Sequence, residues 1–198
     1  MFKKLDFTLD VDIDRIKSEQ RVASYSHAIA QIDQSTQKYS EAFVSYELKD
    51  TEYFNDIISR TLKFHIQPYA VNYTELSYEG AYPHIDGPII ALNYYLQTEN
   101  DATLFWETID DNIKSVSVPQ GINGGPVYEN STAVAYDPTK LRLINYFVAK
   151  SNEAYLFDTS AIHSVSKRNY NSVRKFIRFF WDKVTFDEVL NSIEILPK

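Results

Sequence analysis

From residue 66 to residue 182 the chain is a succession of short apolar and aromatic runs broken by turn residues, at intervals that suit a β-sandwich or barrel. The runs predict strands over 66–75, 88–97, 102–107, 114–118, 131–136, 141–149, 154–158, 162–167 and 173–182. The 15 Tyr, 12 Phe and 2 Trp among 198 residues favour the same reading, because aromatic side chains pack well on a pleated surface. Before this stretch, residues 51–62 place Phe54, Ile57, Ile58 and Leu62 at helical spacing. Helices first and many strands after predict a mainly β fold with N-terminal helices packed on its outside. One domain is expected, with 1–65 as a helical and strand-containing support, 66–182 as the β core and 183–198 as a C-terminal tail.

Composition removes several function classes. A net charge of −7 argues against a nucleic-acid partner, whose phosphates are held by clustered Lys and Arg. The absence of cysteine excludes disulfides, thiolate metal sites and cysteine nucleophiles, so a metal must be held by His, Asp or Glu. Lys3 and Lys4 are followed by Asp6, Asp10, Asp12 and Asp14, unlike a secretion signal, and no run is long and apolar enough to span a membrane. A cytoplasmic protein with no membrane partner is expected. The sequons at Asn72 and Asn130 are then chance matches. Residues 119–127 hold three of the five glycines and predict a mobile loop at the mouth of a site.

Four histidines are present, and two sit in places that suit chemistry. His84 and Asp86 stand at i and i+2 in an extended segment, so their side chains share a face and can converge on one ion. His163 opens a strand about eighty residues later, and two His with one carboxylate on a β scaffold form a facial set that leaves coordination positions open. His27 and His65 are expected to be spectators. Downstream, residues 173–181 alternate Arg174, Phe176, Arg178 and Phe180 against Lys175, Ile177, Phe179 and Trp181. An arginine on a strand covered on both faces requires an anion, and a carboxylate matches its fork.

His84-x-Asp86, His163 and Arg174 eleven residues further on resemble the iron(II)/2-oxoglutarate-dependent dioxygenases, in particular the prolyl-hydroxylase-like group, over about residues 66–182. Tyr73 lies near the place of that family's R-Y-x-x-G stretch, with Asn72 in the arginine position and the glycine displaced to Gly80. Residues 102–107 are similar to its G-G-x-L-x-F segment with both glycines lost. The resemblance implies a double-stranded β-helix, or jelly roll, with Fe(II) on His84, Asp86 and His163. It implies 2-oxoglutarate and O2 as co-substrates, with ascorbate as a reductant. Arg174 would anchor the distal carboxylate, Arg178 is the second candidate for that role and otherwise lies deeper or serves the substrate side, and Tyr95 or Tyr73 would donate a phenolic hydrogen bond.

The activity so implied is hydroxylation of a C–H bond of a peptidyl or free amino-acid side chain, with release of succinate and CO2. A peptide or small molecule is the expected substrate. Two other classes stay open at this point: a cupin-type metal-binding jelly roll with other or no chemistry, and a non-enzymatic β-sandwich interaction module.

Overall fold

The computed structural model describes residues 2–19, 22–26, 43–76, 80–86, 89–109, 116–118, 133–135, 138–166 and 172–197. The first elements are β1 (Phe2–Leu5), α1 (Ile13–Glu19), β2 (Val22–Ser26), β3 (Phe43–Glu47), α2 (Glu52–Ser59) and β4 (Leu62–Phe64). Next come β5 (Ala70–Leu76), β6 (Gly80–Ile85), β7 (Ile89–Gln97), β8 (Ala102–Thr108), β9 (Val116–Val118) and β10 (Ala133–Ala135). A 3-10 turn (Pro138–Lys140) leads into β11 (Leu141–Val148), β12 (Glu153–Asp158), β13 (His163–Ser166) and β14 (Arg174–Asp182). Helix α3 (Phe186–Ser192) and β15 (Ile193–Ile195) end the described chain.

Pairing is nested. β5 lies antiparallel to β14, β6 to β13, β7 to β12 and β8 to β11, so the core is one long hairpin whose arms wind together. Successive rungs fall alternately in two sheets, ordered β1-β12-β7-β14-β5-β3-β2 and β11-β8-β13-β6-β10-β9. This is the double-stranded β-helix, a jelly roll of mainly β structure.

Side-chain alternation then makes two apolar layers. Even-numbered residues of β14 face the opposite sheet, where Phe176 joins Tyr95, Phe105, Phe147, Tyr155 and Phe157. Odd-numbered Ile177, Phe179 and Trp181 face outward into a second cluster built with Phe54 and Ile58 of α2, Phe64 of β4 and Val189 of α3. Phe179 packs its ring 5.9 Å from Phe54 and 5.4 Å from Phe64, and Trp181 donates its indole N–H to the Ile66 carbonyl at 2.9 Å. Phe179→Ala should therefore destabilise the protein by about 3–5 kcal/mol, read from the denaturant midpoint. A shift under about 1 kcal/mol would show that the helices contribute little to holding the sheet.

The nine expected strands agree with β5, β7, β8, β9, β10, β11, β12, β13 and β14 to within a few residues at their ends. The helix expected over 51–62 is α2, capped by Thr51, whose hydroxyl accepts from the Phe54 N–H at 3.1 Å. Beyond these, β1, β2 and β3 lengthen the first sheet at both edges, so the first 65 residues supply strands to the core sheet as well as outer helices. The expected tail carries α3 and β15, the latter paired with β4. Helix α3 starts with a capping box in which Thr185 and Glu188 satisfy each other's backbone N–H groups.

β6 is a strand that apolar runs do not announce. Its register against β13 slips by one residue between the His84–His163 and Ala81–Val165 pairs, and Pro83 lies inside that slip. A proline lacks the N–H a regular ladder needs, and a bulge is where a sheet accommodates it. The glycine-rich loop expected over 119–127 lies outside the described residues, as does His27.

Candidate metal centre

Three side chains meet where β6 ends and β13 begins. His84 and His163 are direct cross-strand partners, and their rings stand 4.4 Å apart, centroid to centroid. Asp86 directly follows β6, held by its backbone N–H donating to the Thr159 carbonyl at 3.0 Å. Thr159 is pinned in turn, since its hydroxyl and its N–H both donate to the Ile89 carbonyl, at 2.7 and 2.9 Å. A loop carboxylate so fixed becomes a precise ligand.

The carboxylate divides between the two rings. Asp86 Oδ1 is 3.4 Å from His84 Nε2, and Oδ2 is 3.7 Å from His163 Nε2. One candidate ligand atom from each residue can be chosen so that all lie within 4.8 Å of one another. Cis ligands on an ion with bonds near 2.1 Å are about 3 Å apart, so the three ligand atoms would close by up to about 2 Å to complete a facial set.

Electrostatics favour a cation here. The Nδ1–H of His163 donates to the Ala161 carbonyl at 2.9 Å, which fixes the tautomer and turns the Nε2 lone pair toward Asp86. Burial, then the neighbouring His84, pull the His163 pKa down to about 4, so the ring is neutral at pH 7. Burial pushes the Asp86 carboxyl up, but the His84 charge and hydrogen bond, with further help from His163 and Arg178, outweigh it and hold the group well below the usual carboxylate range. A neutral lone pair therefore faces an ionised carboxylate at 3.7 Å with no proton between them. A divalent ion between them would satisfy both.

This arrangement sets a pH dependence for the metal-free protein. The unfolded chain takes up a proton on His163 near pH 6.5, whereas the folded chain does so only near pH 4. Stability should thus fall as pH drops through that window, with the unfolded state binding the extra proton. Denaturant midpoints of chelator-treated protein at pH 7, 5.5 and 4.5 check this, and a flat profile would mean that His163 is open to solvent.

A second group lies on the inward face of β14. Arg174 is 1% exposed, with its guanidinium over the Tyr95 ring at 4.5 Å and one terminal nitrogen donating to the Thr103 hydroxyl at 3.1 Å. Among the described residues its Nε has no hydrogen-bond partner and the side chain forms no ion pair. Half-buried Arg178 donates from Nε to Asn93 Oδ1 at 2.9 Å, and Asn93 donates its amide N–H to the Tyr95 hydroxyl at 3.2 Å. Tyr95 accepts there, which leaves its own O–H free to donate.

His84, Asp86 and His163 come together at the second sheet, and Arg174, Arg178 and Tyr95 lie on the inward face of the first. Tyr73 does not. It belongs to the outer cluster and donates to Glu75 at 2.6 Å, because an odd-numbered residue of β5 faces the helices. Of the two arginines Arg174 is the more deeply buried, so of the two places expected for Arg178, deeper or on the substrate side, the first does not hold. His65 stands apart on the surface, 3.1 Å from Glu194. Sequence reading missed Thr103, Asn93 and Thr159. Asn93 had a signal, being a polar residue within the apolar run of β7 and two positions before Tyr95, hence on its face.

Among the described residues no helix is long and apolar enough to cross a membrane. No protein-family model matches the chain, and no curated protein matches it. Among solved structures it is similar to oxalate decarboxylase from Bacillus subtilis. A structure of that enzyme at pH 4.6 shows 13% identity and a TM-score of 0.36, covering 72% of this chain and 26% of the enzyme. One used to study its Mn(II) centres shows 12% identity and a TM-score of 0.35, covering 79% and 29%. This chain therefore spans under a third of the length of the structures it matches.

Proposed function

We propose that the protein is an Fe(II)- and 2-oxoglutarate-dependent dioxygenase that hydroxylates a C–H bond of a free or peptidyl amino-acid side chain, releasing succinate and CO2. Its metal centre is His84, Asp86 and His163, whose donors suit a borderline divalent ion and leave three positions for co-substrate and oxygen. The observation that carries the reading is Arg174, a buried guanidinium whose Nε has no partner among the described residues, on the inward face of the sheet opposite the one that bears the two histidines. A buried cation of this kind calls for an anion, none of the described residues supplies one, and a dicarboxylate that also reaches the metal would.

Bound iron with 2-oxoglutarate supplies the oxidising power, and ascorbate keeps the metal reduced. The chain's own residues do the rest. Arg174 and Thr103 receive the distal carboxylate, and the free O–H of Tyr95 donates to it. Phe105, Phe157 and Phe176 keep bulk water from the reacting centre.

A second reading uses the same fold and metal group, as a metal-binding jelly roll of cupin type with other chemistry, and has no role for Arg174. Anaerobic titration separates the two. Fe(II) with 2-oxoglutarate should give a weak visible metal-to-ligand charge-transfer band, while bound iron with no band would leave the cupin-type reading.

A further inference from the structure

Two arginines line a wall on which the proposed co-substrate needs only one. With a divalent ion on Asp86 and two neutral histidines, the centre would carry one net positive charge. One carboxylate of a 2-oxo acid cancels that charge, and the other cancels Arg174. The guanidinium of Arg178 is left over, and among the described residues it forms no ion pair.

The place of Arg178 is unlike that of a solvated surface arginine. Its guanidinium stands 5.4 Å from the Phe176 ring and 5.3 Å from the Phe180 ring, within reach of both faces. Asn93 holds the Nε edge and is itself oriented by Tyr95, so the terminal nitrogens are presented in a fixed fork. The group lies near enough to Asp86 and to Arg174 to feel the charge of each. It is half-buried, so an incoming molecule can reach it.

We infer that Arg178 recognises a free carboxylate on the prime substrate, whose class is a small carboxylic acid or free amino acid with an apolar stem lying on Phe176 and Phe180. The inference rests on the dioxygenase reading, through the claim that 2-oxoglutarate occupies Arg174. It narrows that reading, because a residue inside a peptide chain has no backbone carboxylate to offer.

The test uses two probes of one shape, 3-phenylpropanoate and 3-phenylpropanamide, titrated by NMR into full-length protein loaded with Zn(II) and 2-oxoglutarate. The acid should bind about tenfold or more tightly than the amide. Arg178→Gln should reduce that preference below about threefold, and Arg178→Lys should restore part of it, since a charge returns without the fork. Thermal melts of both variants check that the fold persists. Equal binding of acid and amide to the wild type, or a preference that survives in Arg178→Gln, overturns the inference. So does loss of 2-oxoglutarate binding in Arg178→Gln with the probe preference intact, which would make Arg178 the co-substrate anchor. If the wild type binds no 2-oxoglutarate, the dioxygenase reading falls. The Arg178 assignment is then decided by acid against amide in metal-free Arg174→Gln protein, with and without Arg178→Gln.

Discussion

Asp86→Ala should leave a folded protein that no longer holds a divalent ion, with affinity reduced by well over about a hundredfold and activity at background. Asp86 is the only anionic member of the group, and both histidines direct Nε2 at its oxygens. Without it a dication would sit in a half-buried site on two neutral rings, with nothing to offset the loss of its water. The fold should tolerate the change, because the N–H that anchors residue 86 to Thr159 belongs to the backbone and survives the substitution. Equilibrium dialysis against Mn(II) or Fe(II), with circular dichroism as the control for folding, gives the answer. Undiminished metal binding by the variant would remove the centre from His84, Asp86 and His163 altogether.

Arg174→Met should push stability and function in opposite directions. Affinity for 2-oxoglutarate should fall by about a hundredfold, the equivalent of about 3 kcal/mol of charge-assisted pairing. The empty protein should be unchanged or more stable, by about 1–4 kcal/mol, because a buried cation with an orphaned Nε is exchanged for an apolar side chain of similar length. Met can lie against the Tyr95 ring that the guanidinium now covers. Calorimetric titration and a denaturant melt on one preparation measure both quantities. A variant destabilised by several kcal/mol would mean that Arg174 is an internal strut, and the case for a bound dicarboxylate would lose its main support.

The parts of the protein that sequence reveals are those governed by local periodicity. Alternation along β14 separates Arg174 and Arg178 from Phe179 and Trp181 without knowledge of any partner strand, and the i, i+2 spacing of His84 and Asp86 does the same at the site. What local pattern cannot supply is parity across strands. Tyr73 and Tyr95 are both tyrosines on strands flanking β14, yet the register sets Tyr73 opposite Ile177 and Tyr95 opposite Phe176, which sends them to opposite faces. The short N-terminal strands were hidden for a related reason. β1 reads Phe-Lys-Lys-Leu and becomes a strand because β12 offers a free edge beside it. Helix α3 was legible in principle, since Thr185 and Glu188 form a capping signature that apolar periodicity alone overlooks.

The nesting of the strands has a kinetic consequence. His84 and His163 come to face each other only after the chain between them has doubled back and both arms have found register, so the centre is among the last features that folding can assemble. Along the way an ion in solution meets at most the local His84 and Asp86 pair, too few ligands to hold it firmly, so it does little to hurry the chain to its native form. It can only make the finished state harder to leave, raising the barrier to unfolding and leaving the rate of folding as it was. Metal should lengthen this protein's lifetime without shortening its birth.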